Sequence, residues 1–135
     1  DHEYIPEHLL TREFLLEVKK LLTADGVLAA NTFSSSRLYH HESVTYSAVF
    51  GDFYNLRVKM KNRVILKKMD GLLAMDVIQH HADQLEEKLA PFGFGREWLL
   101  PLFSTGRDWN PDARILTDQY SPSTLLNSLF QSGAE

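Results

Sequence analysis

The sequence predicts an α/β fold in which one parallel strand and one antiparallel hairpin are flanked by helices, and three patterns support this prediction. Apolar residues recur at helical spacing between 12 and 22, and the turn Asp25–Gly26 and a short apolar run at 27–33 follow. Such a run after a helix is typical of a strand covered on both faces in a parallel sheet. Two strand patterns within 53–69, separated by a short turn, predict the hairpin.

The first helix is predicted to begin after Thr11, whose side chain is suited to cap it. Glu13 follows in the first turn and Lys19 and Lys20 lie near the end, which matches the charge preference of each helix end. We expect the helix to pack through one apolar stripe, which consists of Phe14, Leu15, Val18, Leu21 and Leu22.

A polar loop, Ser34–Ser36, connects the apolar strand to a second helix expected at 37–50 and ended by Gly51. The residues expected to face inward on this helix are Leu38, Tyr39, Val44 and Ala48. In the hairpin, basic side chains are expected to form a solvated strand face that protects the sheet edge. They are Arg57, Lys59, Lys61, Arg63, Lys67 and Lys68.

The last part of the chain is predicted to be mainly helical. Apolar residues recur at helical spacing from Leu72 to Leu89, and a short helix is expected at 97–102. The polar stretch 104–113 is predicted to be a surface loop. Ser121–Pro122 is typical of a helix start, so a final short helix is expected to reach about Phe130.

Composition excludes several classes of function. The 135 residues suit one domain, and a net charge of −4 without a basic block predicts no nucleic-acid partner. No apolar run approaches the ~20 residues of a membrane span, and no signal peptide pattern occurs. We therefore expect a cytoplasmic protein with no membrane contact from this segment. The absence of cysteine excludes disulfides and thiolate metal sites.

We also expect no metal site. Asp76, His80 and Asp83 share one side of the long helix. Acidic residues and histidine at this spacing are common on solvated helix surfaces, so the pattern alone does not indicate a ligand set.

Three segments of the sequence resemble the spermidine synthase family of aminopropyltransferases. PEHLLTREFLLEVKKLLTADGVLAANTFS at 6–34 resembles the segment after that family's catalytic loop, and NRVIL at 62–66 resembles its last strand. LTDQYSP at 116–122 resembles the closing motif of a bacterial, spermidine synthase-like subgroup. The resemblance implies the C-terminal half of a Rossmann-like class I methyltransferase fold.

The same resemblance implies a domain organisation. Residues 1–135 are expected to form a single partial domain. Within it, 5–69 forms a helix–strand–helix–hairpin unit, 70–114 a helical extension, and 115–130 a closing loop and helix.

The activity implied by the resemblance is transfer of an aminopropyl group from decarboxylated S-adenosylmethionine to an amine. In this family an acidic pair holds and deprotonates the amine, and Asp1 matches the second acid of that pair. The nucleoside-binding loop and the first acid would lie upstream of Asp1. We therefore expect no cofactor-binding residue in this chain and an inactive isolated chain. The full-length parent is expected to use decarboxylated S-adenosylmethionine or S-adenosylmethionine.

Four more residues are predicted to bind the amine substrate. Asn31 and Ser34 lie at the carboxyl end of the apolar strand, where ligands bind in open α/β sheets. By resemblance, Asp118 and Tyr120 belong to a loop that closes over the same pocket, where Asp118 would attract a cation. The same positions are also explained as turn and helix-capping residues. Polyamine synthases carry Gln or Glu where this sequence has Asn31–Ser34, so the acceptor stays open.

Two alternatives to an aminopropyltransferase stay open. The parent is a methyltransferase that uses S-adenosylmethionine, or the chain is a non-catalytic dimerising or binding domain. The physical reason for the second is that strand 27–33 would lack a partner on one side and expose unpaired backbone groups. We therefore expect a homo-oligomer.

Overall fold

The computed structural model describes residues 5–58 and 61–120. Its helices are α1 (Arg12–Leu21), α2 (Tyr39–Phe50), α3 (Met75–Leu89) and α4 (Arg96–Leu99), and its strands are β1 (Val27–Phe33), β2 (Tyr54–Arg57) and β3 (Asn62–Lys68). Short 3₁₀ segments lie at Glu7–Leu9, Ala90–Phe92 and Leu100–Leu102. The predicted final helix at 122–130 and the predicted site residue Asp1 lie outside the described residues.

The strands form a three-stranded sheet in the order β1-β3-β2, and both pairings are antiparallel. The hairpin expected at 53–69 is therefore confirmed, and so is a mixed α/β class with a small antiparallel sheet. β1 pairs with β3 along its whole length, from Val27 opposite Lys68 to Phe33 opposite Asn62. Its other edge is unpaired within the described residues, so a parallel neighbour for β1 stays a prediction.

Helices α1 and α2 pack on one face of the sheet, which we call the α1/α2 face. Opposite residues in an antiparallel pair share a face, and Ala30, Ile65 and Asn55 are such partners on this one. The Phe53 and Trp109 rings stack here at 5.3 Å between centroids. The buried cluster consists of Leu15, Tyr39, Tyr46, Val49, Phe50, Phe53, Ile65 and Trp109.

The predicted start of α1 is confirmed, and two predicted core positions are wrong. The Thr11 hydroxyl accepts a hydrogen bond from the Phe14 N–H at 3.3 Å. Leu21 is 85% exposed, because it lies roughly 120° around the helix axis from the buried Leu15. Ala48 is also exposed, since the buried side of α2 is a different one, which combines the apolar residues Tyr46, Val49 and Phe50 with the polar residues Glu42, Ser43 and Thr45.

The other face, which we call the α3/α4 face, is covered only in part. Ile78 of α3 and the 3₁₀ segment Leu100–Leu102 pack over β2 and β3, against Tyr54 and Leu56. The β1 residues on this face stay open, and Val27 is 53% exposed. The prediction that β1 is covered on both faces is therefore wrong for the described residues, because α3 and α4 do not extend across it.

The stretch 104–113 is a loop, as predicted, but one of its side chains is buried. Trp109 is only 8% exposed and fills the edge of the core beside Phe53. The Asn55 N–H donates to the Ser104 carbonyl at 2.7 Å, which holds the start of the loop against the outer edge of β2.

Candidate functional site

The carboxyl end of β1 carries the first predicted site residues. Asn31 is exposed and lies opposite Val64 in β3, on the α3/α4 face. Ser34 follows the strand and donates to the Lys61 carbonyl through both its N–H (2.7 Å) and its hydroxyl (3.0 Å). The turn of the hairpin therefore fixes the direction in which the chain leaves β1.

The loop between β1 and α2 is held by a second serine. The Ser36 N–H donates to the Phe33 carbonyl at 3.2 Å, and the Ser36 hydroxyl accepts from the Leu38 N–H at 3.1 Å. The same hydroxyl donates to Oε1 of Glu42 at 3.3 Å. Leu38 is buried against Leu10 and Leu116. The loop is thus tied both to the first turn of α2 and to a small apolar cluster.

The closing segment 115–120 packs between the beginning of α1 and the middle of α2. Leu116 is fully buried; its N–H donates to the Thr45 hydroxyl at 2.9 Å, and its carbonyl accepts from the Arg12 N–H at 2.8 Å. The Tyr120 N–H donates to the Thr117 carbonyl at 2.9 Å, so the segment ends in a tight turn.

The two predicted residues of this turn lie beside different charged groups: Asp118 is next to the acid Glu13, and Tyr120 is next to the cation of Arg114. The Asp118 N–H donates to Oε2 of Glu13 at 3.1 Å, while its carboxylate is exposed and forms no ion pair within the described residues. The Arg114 guanidinium lies over the Tyr120 ring, 3.1 Å from its centroid. The turn therefore presents an acidic group to solvent beside a cation-covered aromatic ring.

The structure connects the two predicted groups of site residues indirectly. Leu38, which follows the Ser34–Ser36 loop, packs against Leu116, which precedes Asp118. Within residues 5–58 and 61–120 no hydrogen bond joins Asn31 or Ser34 to Asp118 or Tyr120. The loop and the closing segment are thus neighbours through an apolar contact.

A buried charge pair lies behind this loop. Arg63 is 0% and Glu42 2% exposed, and Nη2 of Arg63 lies 3.6 Å from Oε2 of Glu42. Nε of Arg63 donates to the Thr32 hydroxyl at 2.7 Å, and Nη1 donates to the Ser43 hydroxyl. The Tyr39 ring lies 4.3 Å from the guanidinium. At 3.6 Å the two facing atoms attract electrostatically but form no hydrogen bond.

Burial changes the ionisation of the groups around this pair. It raises the pKa of Glu42 above its usual range, and the Arg63 charge and the Ser36 hydrogen bond oppose that rise only in part. Burial, with the nearby Glu42 charge, raises the pKa of Tyr46 to about 12. Tyr46 is therefore a neutral hydroxyl at physiological pH.

A second polar network lies at the outer edge of β2. Asp108 Oδ1 accepts from the Tyr39 hydroxyl at 2.6 Å and from the Asn55 amide at 3.0 Å, while Oδ2 accepts from Arg57 at 3.0 Å. Partial burial acts to raise the pKa of Asp108, but the hydrogen bonds from Tyr39 and Arg57 and the Arg57 charge outweigh it and lower the pKa. An open cavity of about 320 Å³ borders this network.

The α3/α4 face contains an apolar cavity of about 230 Å³ between the sheet and the two helices. Tyr54 and Leu66 form part of its floor, and Leu85 and Phe94 line its wall. The Tyr54 hydroxyl is satisfied by the Leu73 carbonyl at 2.6 Å, so the interior does not offer that group to a ligand. The cavity lies on the opposite side of the sheet from Glu42 and Arg63.

Sequence reasoning missed both polar networks, and one prediction is wrong. Arg63 was expected on a solvated basic face, but it is fully buried because β3 is the central strand and α2 covers it. The signal that could have indicated this is the mixture of Glu42, Ser43 and Thr45 with aromatic residues in a helix without a clean apolar stripe. A tryptophan at 109, within an otherwise polar loop, similarly indicated an anchored segment.

Neither a metal-ligand cluster nor a membrane-spanning helix occurs among the described residues. No group of three or more His, Asp or Glu side chains is placed to hold a metal ion in the part of the chain that the structure covers. None of the helices at 5–58 and 61–120 has the length and apolar character needed to cross a membrane.

Comparison with known proteins gives a relative of this chain. The chain is 51% identical over 126 residues to the polyamine aminopropyltransferase of Vibrio vulnificus (strain CMCP6). The match covers 92% of the chain and 42% of the relative, so the chain spans less than half the length of the relative it matches. No family model and no solved structure matches the chain. Over most of its length the chain is thus similar to part of a polyamine aminopropyltransferase, which confirms the resemblance inferred from its sequence.

Proposed function

We propose that this chain forms the amine-binding side of a spermidine synthase-like transferase, which moves an aminopropyl group from decarboxylated S-adenosylmethionine to an amine. The observation that carries the proposal is the 51% identity to a polyamine aminopropyltransferase over 92% of the chain. Because the chain matches only 42% of that relative, the activity belongs to the longer protein. The isolated chain is expected to be inactive.

The fold proposed for that longer protein is a Rossmann-like class I methyltransferase domain, of which this chain is the C-terminal half. The edge of β1 that has no partner in 5–58 and 61–120 supports this proposal, since a parallel strand from the other half would pair there. The whole chain would then be one partial domain, which consists of the unit 5–69, the extension 70–114 and the closing part 115–130.

The chemistry requires a neutral amine placed in line with the carbon that leaves the sulfonium. The amine nitrogen forms the new C–N bond, the C–S bond breaks, and a carboxylate takes the proton that the nitrogen gives up. Asp1 is proposed as one acid of the family pair. Asn31 and Ser34 at the end of β1, together with Tyr120, would contact the amine chain. The exposed carboxylate of Asp118 would attract its second, cationic end.

A chimeric enzyme tests the proposal. The segment of the Vibrio vulnificus relative that matches this chain is replaced by the chain's own 126 matching residues. Formation of the aminopropylated product from a linear diamine is then followed by mass spectrometry. We expect activity within about tenfold of the parent enzyme, equivalent to ~1.4 kcal/mol. A folded chimera that binds the nucleoside but makes no product would contradict the proposal.

A pair of variants in the chimera tests the proposed role of Asp118. Asp118→Asn removes the charge and is expected to raise the KM for the diamine about tenfold, or ~1.4 kcal/mol of binding. Asp112→Asn, at an exposed acid in the loop just before the closing segment, is the matched control and should leave KM unchanged. Equal effects of the two substitutions on KM would show that Asp118 does not line the pocket.

The open edge of β1 favours a second candidate, a non-catalytic dimerising domain. The edge strand carries no charged residue, and Val27 is 53% exposed beside it. Uncharged edges of this kind pair readily with another strand. Light scattering of the 135-residue chain is expected to give a mass above the 15.5 kDa of the monomer. A mass of one monomer across the micromolar range would exclude this candidate.

A further inference from the structure

One face of helix α2 contacts both segments of the proposed amine pocket, the β1–α2 loop and the closing segment. Oε1 of Glu42 accepts the hydrogen bond from Ser36 in the β1–α2 loop, at 3.3 Å. Thr45, three residues later, accepts the hydrogen bond from the N–H of Leu116 in the closing segment, at 2.9 Å. Residues three apart lie on the same side of a helix, and both side chains are at least 98% buried.

The sheet holds this face of α2 in place through Arg63. The guanidinium donates to the Thr32 hydroxyl of β1 and to the Ser43 hydroxyl of α2, and it lies 3.6 Å from Glu42. Strands β1 and β3 and helix α2 are thereby connected at one point. Because Glu42 also accepts from Ser36, the loop position is determined by the sheet as well as by the helix.

These polar groups do more than fill space. A buried ion pair is weak evidence for stability, since apolar residues of similar volume often pack as well or better. The hydrogen bonds from Ser36 and Leu116, moreover, do not join α2 to another regular element. They connect it to the two irregular segments that carry the predicted site residues.

We propose that Glu42 and Thr45 are positioning residues that set the distance between the Ser34–Ser36 loop and the closing segment 115–120. The proposal rests on the proposed function, which assigns these two segments to the amine pocket. Neither side chain touches the substrate; α2 acts as a common support for both walls. Its position would then determine the length of amine that fits between them.

Amide hydrogen exchange, followed residue by residue by NMR in the 135-residue chain, tests the two contacts separately. Thr45→Val removes the acceptor and is expected to speed exchange of the Leu116 amide at least tenfold, with the Leu38 amide unchanged. Thr45→Ser keeps the hydroxyl and should restore the slow exchange of Leu116.

The double variant Glu42→Met/Arg63→Met is the counterpart for the other wall. It is expected to keep the unfolding midpoint of the wild type and to speed exchange of the Leu38 amide at least tenfold, with Leu116 unchanged. Ser36→Ala removes the same contact from the loop side and leaves both buried charges in place, so the test does not depend on the double variant folding. Because Ser36→Ala also removes the acceptor of the Leu38 N–H, its effect is followed at the Tyr39 amide, which donates to the Ser36 carbonyl at 3.1 Å and is expected to exchange faster while Leu116 is unchanged.

Faster exchange at Leu116 alone in Thr45→Val, and at Leu38 alone in Glu42→Met/Arg63→Met, supports the positioning role. Exchange that rises at both amides in every variant, or at neither, overturns it, because the side chains would then contribute only to overall stability. No substrate enters this measurement. An inactive chimera with separable exchange effects would therefore contradict the proposed function alone.

Discussion

The two faces of the sheet differ in how completely they are covered and in what they bury. On the α1/α2 face, Leu15 and Ile65 are almost fully buried, and the same layer encloses Arg63 and Glu42. The α3/α4 face encloses a mainly apolar cavity of about 230 Å³, and Val27 beside it is 53% exposed. Charged side chains are buried on the better-covered α1/α2 face, whereas the Arg96–Asp83 ion pair of the α3/α4 face lies at the surface.

This difference has a physical reason. A charge removed from water needs a partner and hydrogen bonds that water cannot displace. The α1/α2 face supplies them through Thr32, Ser43 and Glu42 around one guanidinium. On the α3/α4 face the ion pair of Arg96 with Asp83 is about half exposed, where water screens the attraction and the pair contributes little.

Removing one member of the buried pair is expected to give the largest effect. Glu42→Met leaves the Arg63 charge buried without a counter-ion and should lower the free energy of unfolding by about 3–5 kcal/mol, as measured by urea denaturation. Arg96→Met, which breaks the exposed pair with Asp83, should change it by less than ~1 kcal/mol. Equal losses from the two substitutions would show that Arg63 is not desolvated.

Truncating one leucine on each face is expected to show a smaller difference. Leu15→Ala, at 1% exposure, should cost about 2–5 kcal/mol because it opens a cavity in a packed layer. Leu99→Ala, on the wall of the existing cavity, should cost about 1 kcal/mol, since the side chain is only half-buried. Thermal unfolding compares the two; a larger loss for Leu99 would reverse the assignment of the better-packed face.

Filling the apolar cavity is expected to stabilise the protein slightly. Ala82 lines the cavity, so Ala82→Leu buries added carbon atoms and should raise the free energy of unfolding by about 1–2 kcal/mol at ~0.8 kcal/mol per methylene. Ala48→Leu, at an exposed position of α2, is the control and should stay within ~0.5 kcal/mol. Loss of stability in Ala82→Leu would mean that α3 cannot accommodate the larger residue.

The smallest expected effect is on the pH dependence of stability. Because burial raises the pKa of Glu42, the folded state takes up this proton at a higher pH than the unfolded state does. The group's contribution is therefore fully present below its unfolded pKa and is lost as pH rises through the raised folded pKa. Urea denaturation across pH should show this slope in the wild type and not in Glu42→Met/Arg63→Met.

Asp108 provides the opposite sign in the same experiment. Its pKa is lowered in the folded protein, so its contribution is present above the unfolded pKa and is lost as pH falls through the lowered folded value. Asp108→Asn should remove this acid-side loss and leave the Glu42 slope intact. A single slope that disappears in both variants would show that the two networks titrate together.

Local patterns predicted the regular elements well. The cap at Thr11, the hairpin and the long helix α3 all follow from short-range chemistry, and each is present. The failures share a cause. Leu21 and Ala48 were placed inward by approximate helical spacing, and Arg63 was placed outward by its charge. None of these assignments takes account of which neighbouring element covers a residue.

The candidate site likewise combines local features that were predicted with long-range contacts that were not. Asn31, Ser34 and Asp118 were predicted from their positions at strand ends and turns and from a resemblance, and the structure places them in such positions. The contacts behind them were not predicted. Glu42 and Arg63 are separated by 21 positions, and Thr45 and Leu116 by 71, so no local pattern relates them.

By itself the sequence determined the order of helices and strands, the hairpin, and the similarity to a polyamine aminopropyltransferase. These depend on propensity, periodicity and short motifs, which act over a few residues. Only the tertiary structure decided that β3 is central, that its arginine is enclosed with Glu42, and that α2 supports both the β1–α2 loop and the closing segment. Burial of a charge depends on the complete set of surrounding groups, and that set is assembled only when distant parts of the chain pack together.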